Sequence, residues 1–290
     1  MSLVQRDPAL HERLTYLAGA ARMIFVAGLP GTGKSLVIHQ LAHLAAAAGR
    51  SVHLLQWDVA RPVFEASAAG RCYPVIDGVT QPMIRAAVGR WARAAVVRWH
   101  RDHARAAPSR DAAPLLLGEA PFVGGRLIEL ARRFDDDAEP LLTSLACVFA
   151  LPVPSAEVRA HIERERERRA SAPNHPRERE DAPPALLRAL WSELMDVARA
   201  LGVAASGDPR AYDPVIYRGV YETVLRHRVC APIALETVLP TSAMSVYDLS
   251  VPCTDLVPSD AEADAAVRET EARYPDPLAL AREVDRWWLV

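Results

Sequence analysis

Lysine is nearly absent from this 290-residue chain. Of its 34 basic residues, 33 are arginine, and Lys34 is the only lysine. Cysteine is also scarce. Cys72, Cys147, Cys230 and Cys253 are scattered, form no CxxC pair and have no histidine at ligand spacing, which argues against a disulfide framework or a zinc site. No apolar run approaches the roughly 20 residues that a bilayer-spanning helix needs. The first stretch, "MSLVQRDPALHERL", is charged and lacks the apolar core of a signal peptide, so the expected location is the cytoplasm. A formal net charge of -2 gives no electrostatic case for a nucleic-acid or membrane partner. Half of the residues are hydrophobic and 24% are charged, a balance that suits one large globular α/β unit spanning 1–290.

What is present is an alternation of apolar strands and amphipathic helices. Residues 1–22 read as a short helix leading into a strand at 23–27. A helix runs from about 34 to 48, with Gly49 closing it. Strands follow at 51–58 and 114–120, within 141–154 and at 228–240. Helical spacing marks 80–107 and 185–202, and "GGRLIELARRF" is expected to open another helix. This pattern predicts a mostly parallel, five-stranded sheet with helices on both faces. Residues 155–184 are dense in charge and proline and read as an insertion. Residues 259–290 read as a helical tail whose "RWWLV" end docks on the body.

The lone lysine lies in "GLPGTGKS", which fits G-x-x-x-x-G-K-[ST] at every fixed position from Gly28 to Ser35, between a strand and a helix. Gly28, Gly31 and Gly33 permit backbone angles that other residues resist. Successive N–H groups of the loop, Thr32 included, can then face one concavity at a helix N-terminus. A compact ammonium at Lys34 can reach β- and γ-phosphates, and the Ser35 hydroxyl can serve Mg²⁺. The motif resembles that of the P-loop NTPase superfamily. The resemblance rests on the first sixth of the chain. It implies a P-loop three-layer sandwich, with ATP and Mg²⁺ as the bound groups.

Within that superfamily, the absence of any lysine after Lys34 excludes a standard N-K-x-D base-reading motif, and with it the common GTPases. "WDVAR" places Asp58 and Arg61 as D-x-x-R after the second strand. This resembles P-loop small-molecule kinases such as adenylylsulfate kinase and gluconate kinase. The resemblance implies that Asp58 activates or orients an acceptor hydroxyl and that Arg61 holds an acceptor anion. The competing reading is an aspartate at a helix start with a surface arginine. Glu119, at the end of the third strand, stands where an acid would hold Mg²⁺ or acceptor. Arg126, after "GG", is a looser candidate in what resembles a nucleoside monophosphate kinase pattern. The "VP" and arginine-bearing helix after the fourth strand resemble an adenylate-kinase lid over 155–184. Arg159, Arg164, Arg166, Arg168 and Arg169 are available there; Arg164 and Arg168 are the favoured catalytic pair, although interleaved glutamates can simply pair with them on a solvated helix.

The expected activity is ATP- and Mg²⁺-dependent phosphoryl transfer to a small-molecule hydroxyl or phosphate. The alternative is an ATPase or nucleotide-gated switch acting on a protein partner. A third reading, a zeta-toxin-like sugar-nucleotide kinase, ranks lower.

Overall fold

The computed structural model describes residues 3–103, 113–205, 211–239, 245 and 251–290. Its centre is one parallel six-stranded sheet in the order β5-β4-β1-β3-β2-β6. The strands are β1 (Met23–Ala27), β2 (Val52–Leu55), β3 (Leu115–Ala120), β4 (Cys147–Pro154), β5 (Cys230–Leu235) and β6 (Thr254–Asp255). The sheet therefore has one more strand than expected. β6 is only two residues long and pairs at the β2 edge through His53 and Leu54, too short to leave a period in the sequence.

β1 and β3 are buried along nearly their whole length, as strands covered on both faces must be. Alternate residues of the sheet feed two separate cores. Ile24, Val26, Leu115 and Leu117 face α1 (Pro8–Ala20) and α2 (Lys34–Ala47). Met23, Phe25, Leu116 and Phe149 face the other way. They meet α3 (Trp57–Ala66), α4 (Pro82–His103), α7 (Pro184–Ala200), α8 (Pro214–Val224), α9 (Asp260–Arg273) and α10 (Pro277–Asp285). α5 (Glu139–Leu142) and α6 (Ala156–Ser171) flank β4.

Helix starts mostly follow their capping chemistry. The side chains of Asp7, Ser155, Asp213, Ser259 and Asp276 each accept a backbone N–H at the start of α1, α6, α8, α9 and α10. Ser259 and Glu262 form a full capping box.

Two further expectations change. The second strand stops at Leu55, because Trp57 and Asp58 already belong to α3. The helix expected at "GGRLIELARRF" is absent; the stretch makes two short 3-10 turns, Val123–Gly125 and Ile128–Leu130. Phe122, Gly124, Gly125 and Leu127 all have positive φ there, which a continuous right-handed helix cannot contain. The tail holds two helices, and Trp287 is buried in the core as expected of a docked end. The helix at 80–107 is described to His103, with 104–107 outside the described residues. Among the described residues no helix is long and apolar enough to cross a membrane.

Candidate functional site at the carboxyl edge of the sheet

The glycine-rich loop leaves β1 at the middle of the sheet and turns directly into α2. In open α/β sheets, ligands bind outside the carboxyl ends of the strands, where this loop lies. Gly28, Gly31 and Gly33 have φ of 137°, 74° and 88°. L side chains resist those angles, and space forbids side chains as well. A Cβ on Gly28 would overlap the Tyr217 hydroxyl, and one on Gly31 would lie 2.9 Å from Leu187 and 3.0 Å from Arg159.

Gly33 is the N-cap of α2 and supplies no side-chain cap; no acid stands in the first turn. Among the described residues, no hydrogen bond is donated by the backbone N–H groups of Gly33, Lys34, Ser35 or Leu36. The first intrahelical bond here is Val37 N–H to Gly33 C=O. An uncapped helix start in a largely buried loop leaves donors and a partial positive charge without a partner.

Lys34 is 6% exposed. Its Nζ donates to the Leu29 carbonyl at 3.0 Å and lies 3.4 Å from Glu119 Oε1. The sheet register produces this meeting. Glu119 pairs with Val26, and it alternates along β3 with Leu115 and Leu117 on the face that α2 covers. Lys34, the first residue of α2, sits over that same face. Burial lowers the Lys34 pKa most; Glu119 raises it, and the charges of Arg126 and Arg166 lower it further. Two of the expected residues, Lys34 and Glu119, are thus brought into contact, and Arg126 is close enough to act on Lys34.

Arg126 is positioned by the strained turn after β3. Phe122 N–H donates to the Arg126 carbonyl, Arg85 donates to Gly124 O at 2.7 Å, and the Tyr221 hydroxyl donates to Pro121 O at 3.1 Å. Backbone held in sparsely populated regions survives only where its surroundings over-determine it.

Other candidates are placed differently. Asp58 is exposed in the first turn of α3. Arg61 is turned along the same helix onto Glu65 at 2.7 Å. Arg164 is exposed, and Arg168 is exposed and pairs with Glu165 at 2.9 Å. Arg159 is an arginine of α6 that touches the loop. It is 2% exposed and donates to Pro30 O at 2.8 Å and to Glu163 at 2.9 Å. Thr32 is fully buried, and its hydroxyl donates to Leu29 O at 2.8 Å. Ser35 is half-buried in the first turn of α2.

Sequence reasoning named Arg159 but did not prefer it, and it missed Leu187 and Tyr217 altogether. A signal for Tyr217 existed. Asp213-Pro214 is a helix start, and Ile216, Tyr217, Val220, Tyr221 and Val224 repeat at helical spacing behind it.

No protein-family model, curated protein or solved structure matches this chain. The site's own chemistry is therefore what bears on function.

Proposed function

We propose that the chain binds ATP with Mg²⁺ and transfers the terminal phosphoryl group to a small-molecule hydroxyl or phosphate. The observation that supports this best is the buried, uncapped amino end of α2, with the only lysine folded into it. On this reading the sheet and its two helical layers are a P-loop sandwich, and 155–184 is its lid.

Each residue has a task in the reading. The N–H groups of Gly33 to Leu36 donate to phosphate oxygens. Lys34 exchanges Leu29 O and Glu119 for the triphosphate. Arg126 and Arg166 stabilise charge spreading over the transferring group. Arg159 ties α6 to the loop. Asp58, at the same sheet edge, orients the acceptor.

The metal fits a limited set of ligands. Among the described residues no group of three or more His, Cys, Asp or Glu could hold an ion. Mg²⁺ commonly binds through one or two carboxylates plus phosphates and water, so Glu119 and Ser35 suffice if the ion arrives with the nucleotide. When bound, Mg²⁺ supplies charge neutralisation on the phosphate oxygens.

The cover over the loop favours a second reading, a nucleotide-gated switch. Leu187, Arg159 and Tyr217 come from α7, α6 and α8 and occupy the space beside Gly31 and Gly28. A triphosphate entering there moves them, and that movement is itself an output. ADP release measured with and without a panel of hydroxylated metabolites and nucleoside monophosphates separates the two. Acceptor-dependent release supports transfer; acceptor-independent hydrolysis, or binding without turnover, supports the switch. No nucleotide binding sinks both.

A further inference from the structure

A charged cavity lies apart from the glycine-rich loop and shares no lining residue with it. It is an open groove of about 1250 Å³ between α4, the 132–136 segment, α9 and α10. Seven arginines line it against four carboxylates, Asp135, Asp136, Glu269 and Glu283. Part of this charge is compensated within the protein. Arg93 is 3% exposed and pairs with Asp136 at 2.6 Å and Glu139 at 2.9 Å; Arg132 pairs with Glu283 at 2.7 Å. Among the described residues no carboxylate pairs with Arg90, Arg133 or Arg286. The Nε atoms of Arg90 and Arg132 are buried without a hydrogen-bond partner. Buried polar atoms of this kind are rare in folded proteins and call for a partner.

A solvated arginine surface would spread such charges outward. Here separate elements converge them on one concavity, which also exposes the rings of Phe134 and Tyr274. Its size exceeds what a small metabolite needs. A fifth carboxyl stands close to the arginines of the groove. Glu129, 4% exposed, lies against Gly89 near Arg90 and Arg132. Burial pushes its pKa up to about 7, so near neutral pH it carries only part of a negative charge.

We propose that this groove binds a small polyanion, a phosphorylated or polycarboxylate metabolite, through Arg90, Arg133 and Arg286. The proposal does not depend on the reading of the glycine-rich loop.

The test uses the full chain carrying Lys34→Met, so that the loop lysine contributes nothing. Pyrophosphate and citrate are titrated by calorimetry at fixed ionic strength, before and after adding Arg133→Gln and Arg286→Gln. Both arginines are exposed, and a thermal midpoint checks the fold. Saturable binding of either probe is expected, weakened tenfold or more by the paired substitution. Pyrophosphate alone assigns a phosphorylated ligand, citrate alone a polycarboxylate, and both the shared anion chemistry. Absence of saturable binding by either probe, or equal binding after the two arginines are removed, overturns the proposal.

Discussion

Two strand-to-helix junctions open at the same edge of the sheet, and they solve the start of a helix in opposite ways. After β2 the chain needs only Gln56 to reach α3, and Asp58 stands in the first turn. That carboxylate offsets the helix's own positive end. After β1 the chain spends six residues, three of them glycines with positive φ, and begins α2 with no acid, no cap and a buried lysine. The first junction is complete in itself. The second gathers donors and positive charge that nothing within it neutralises except Glu119, reached across from β3. A helix start that lacks its own counter-charge is suited to an external anion.

The largest effect should come from removing the lysine. Lys34→Met is expected to weaken triphosphate binding by about 100-fold or more, the loss of one strong charge-assisted contact at roughly 3 kcal/mol. Thermal stability should stay level or rise. Burial lowers the lysine's pKa, so holding it charged destabilises the fold below that pKa and the cost fades as pH rises through it. Loss of both binding and fold would instead make Lys34 a structural residue.

Glu129 tests the same contrast on a buried charge without a lysine beside it. Its folded pKa of about 7 lies above its ordinary value, so the folded state holds the proton more tightly. Stability attributable to this group is full at acid pH and falls as pH rises through about 7. Glu129→Gln should therefore stabilise the protein at pH 8, by up to about 3 kcal/mol, and flatten the decline between pH 5 and 8 in denaturant titrations. A parent whose stability is flat over that range contradicts the assignment.

Glu119→Gln should have an intermediate effect. Freed of its carboxylate partner, Lys34 should bind triphosphate about tenfold tighter without Mg²⁺, and the gain on adding Mg²⁺ should shrink, as read by fluorescence titration. An unchanged Mg²⁺ dependence would remove Glu119 from the metal's ligands.

At the other junction, Asp58→Asn should cost only about 0.5 kcal/mol of stability and leave nucleotide affinity alone. Reduced turnover at unchanged nucleotide affinity would mark Asp58 as an acceptor residue, and unchanged turnover would leave it a helix-start acid. Arg164→Gln with Arg168→Gln should change stability by less than about 0.5 kcal/mol and leave triphosphate affinity within twofold. A tenfold loss of affinity would bring the outer face of α6 into the site.

The sequence revealed the junction after β1 more fully than the one after β2. The bounds of β1 and the start of α2 were legible because apolar periodicity, glycines and one lysine all agree there. The alternation of strands and helices also revealed the parallel sheet. "WDVAR" was ambiguous, because an aspartate three residues before an arginine suits both an acceptor site and a helix start; the chain folds it into α3 with Arg61 on Glu65. The turn at 122–127 misled because "RLIELARRF" has helical composition, while Phe122 and Leu127 adopt positive φ that only tertiary contacts enforce. Arg159 could not be told from its four neighbours by spacing alone. What distinguishes it is Pro30 O, 129 residues away in sequence.

The amino end of α2 is best probed by calorimetric titration of ATP with Mg²⁺ into the parent chain and into Lys34→Met, with thermal midpoints measured on both. One saturable site is expected in the parent, with affinity at least about 100-fold weaker in the variant and a midpoint in the variant no lower than the parent's. Equal affinity in the two proteins, or no saturable binding in the parent, contradicts this expectation.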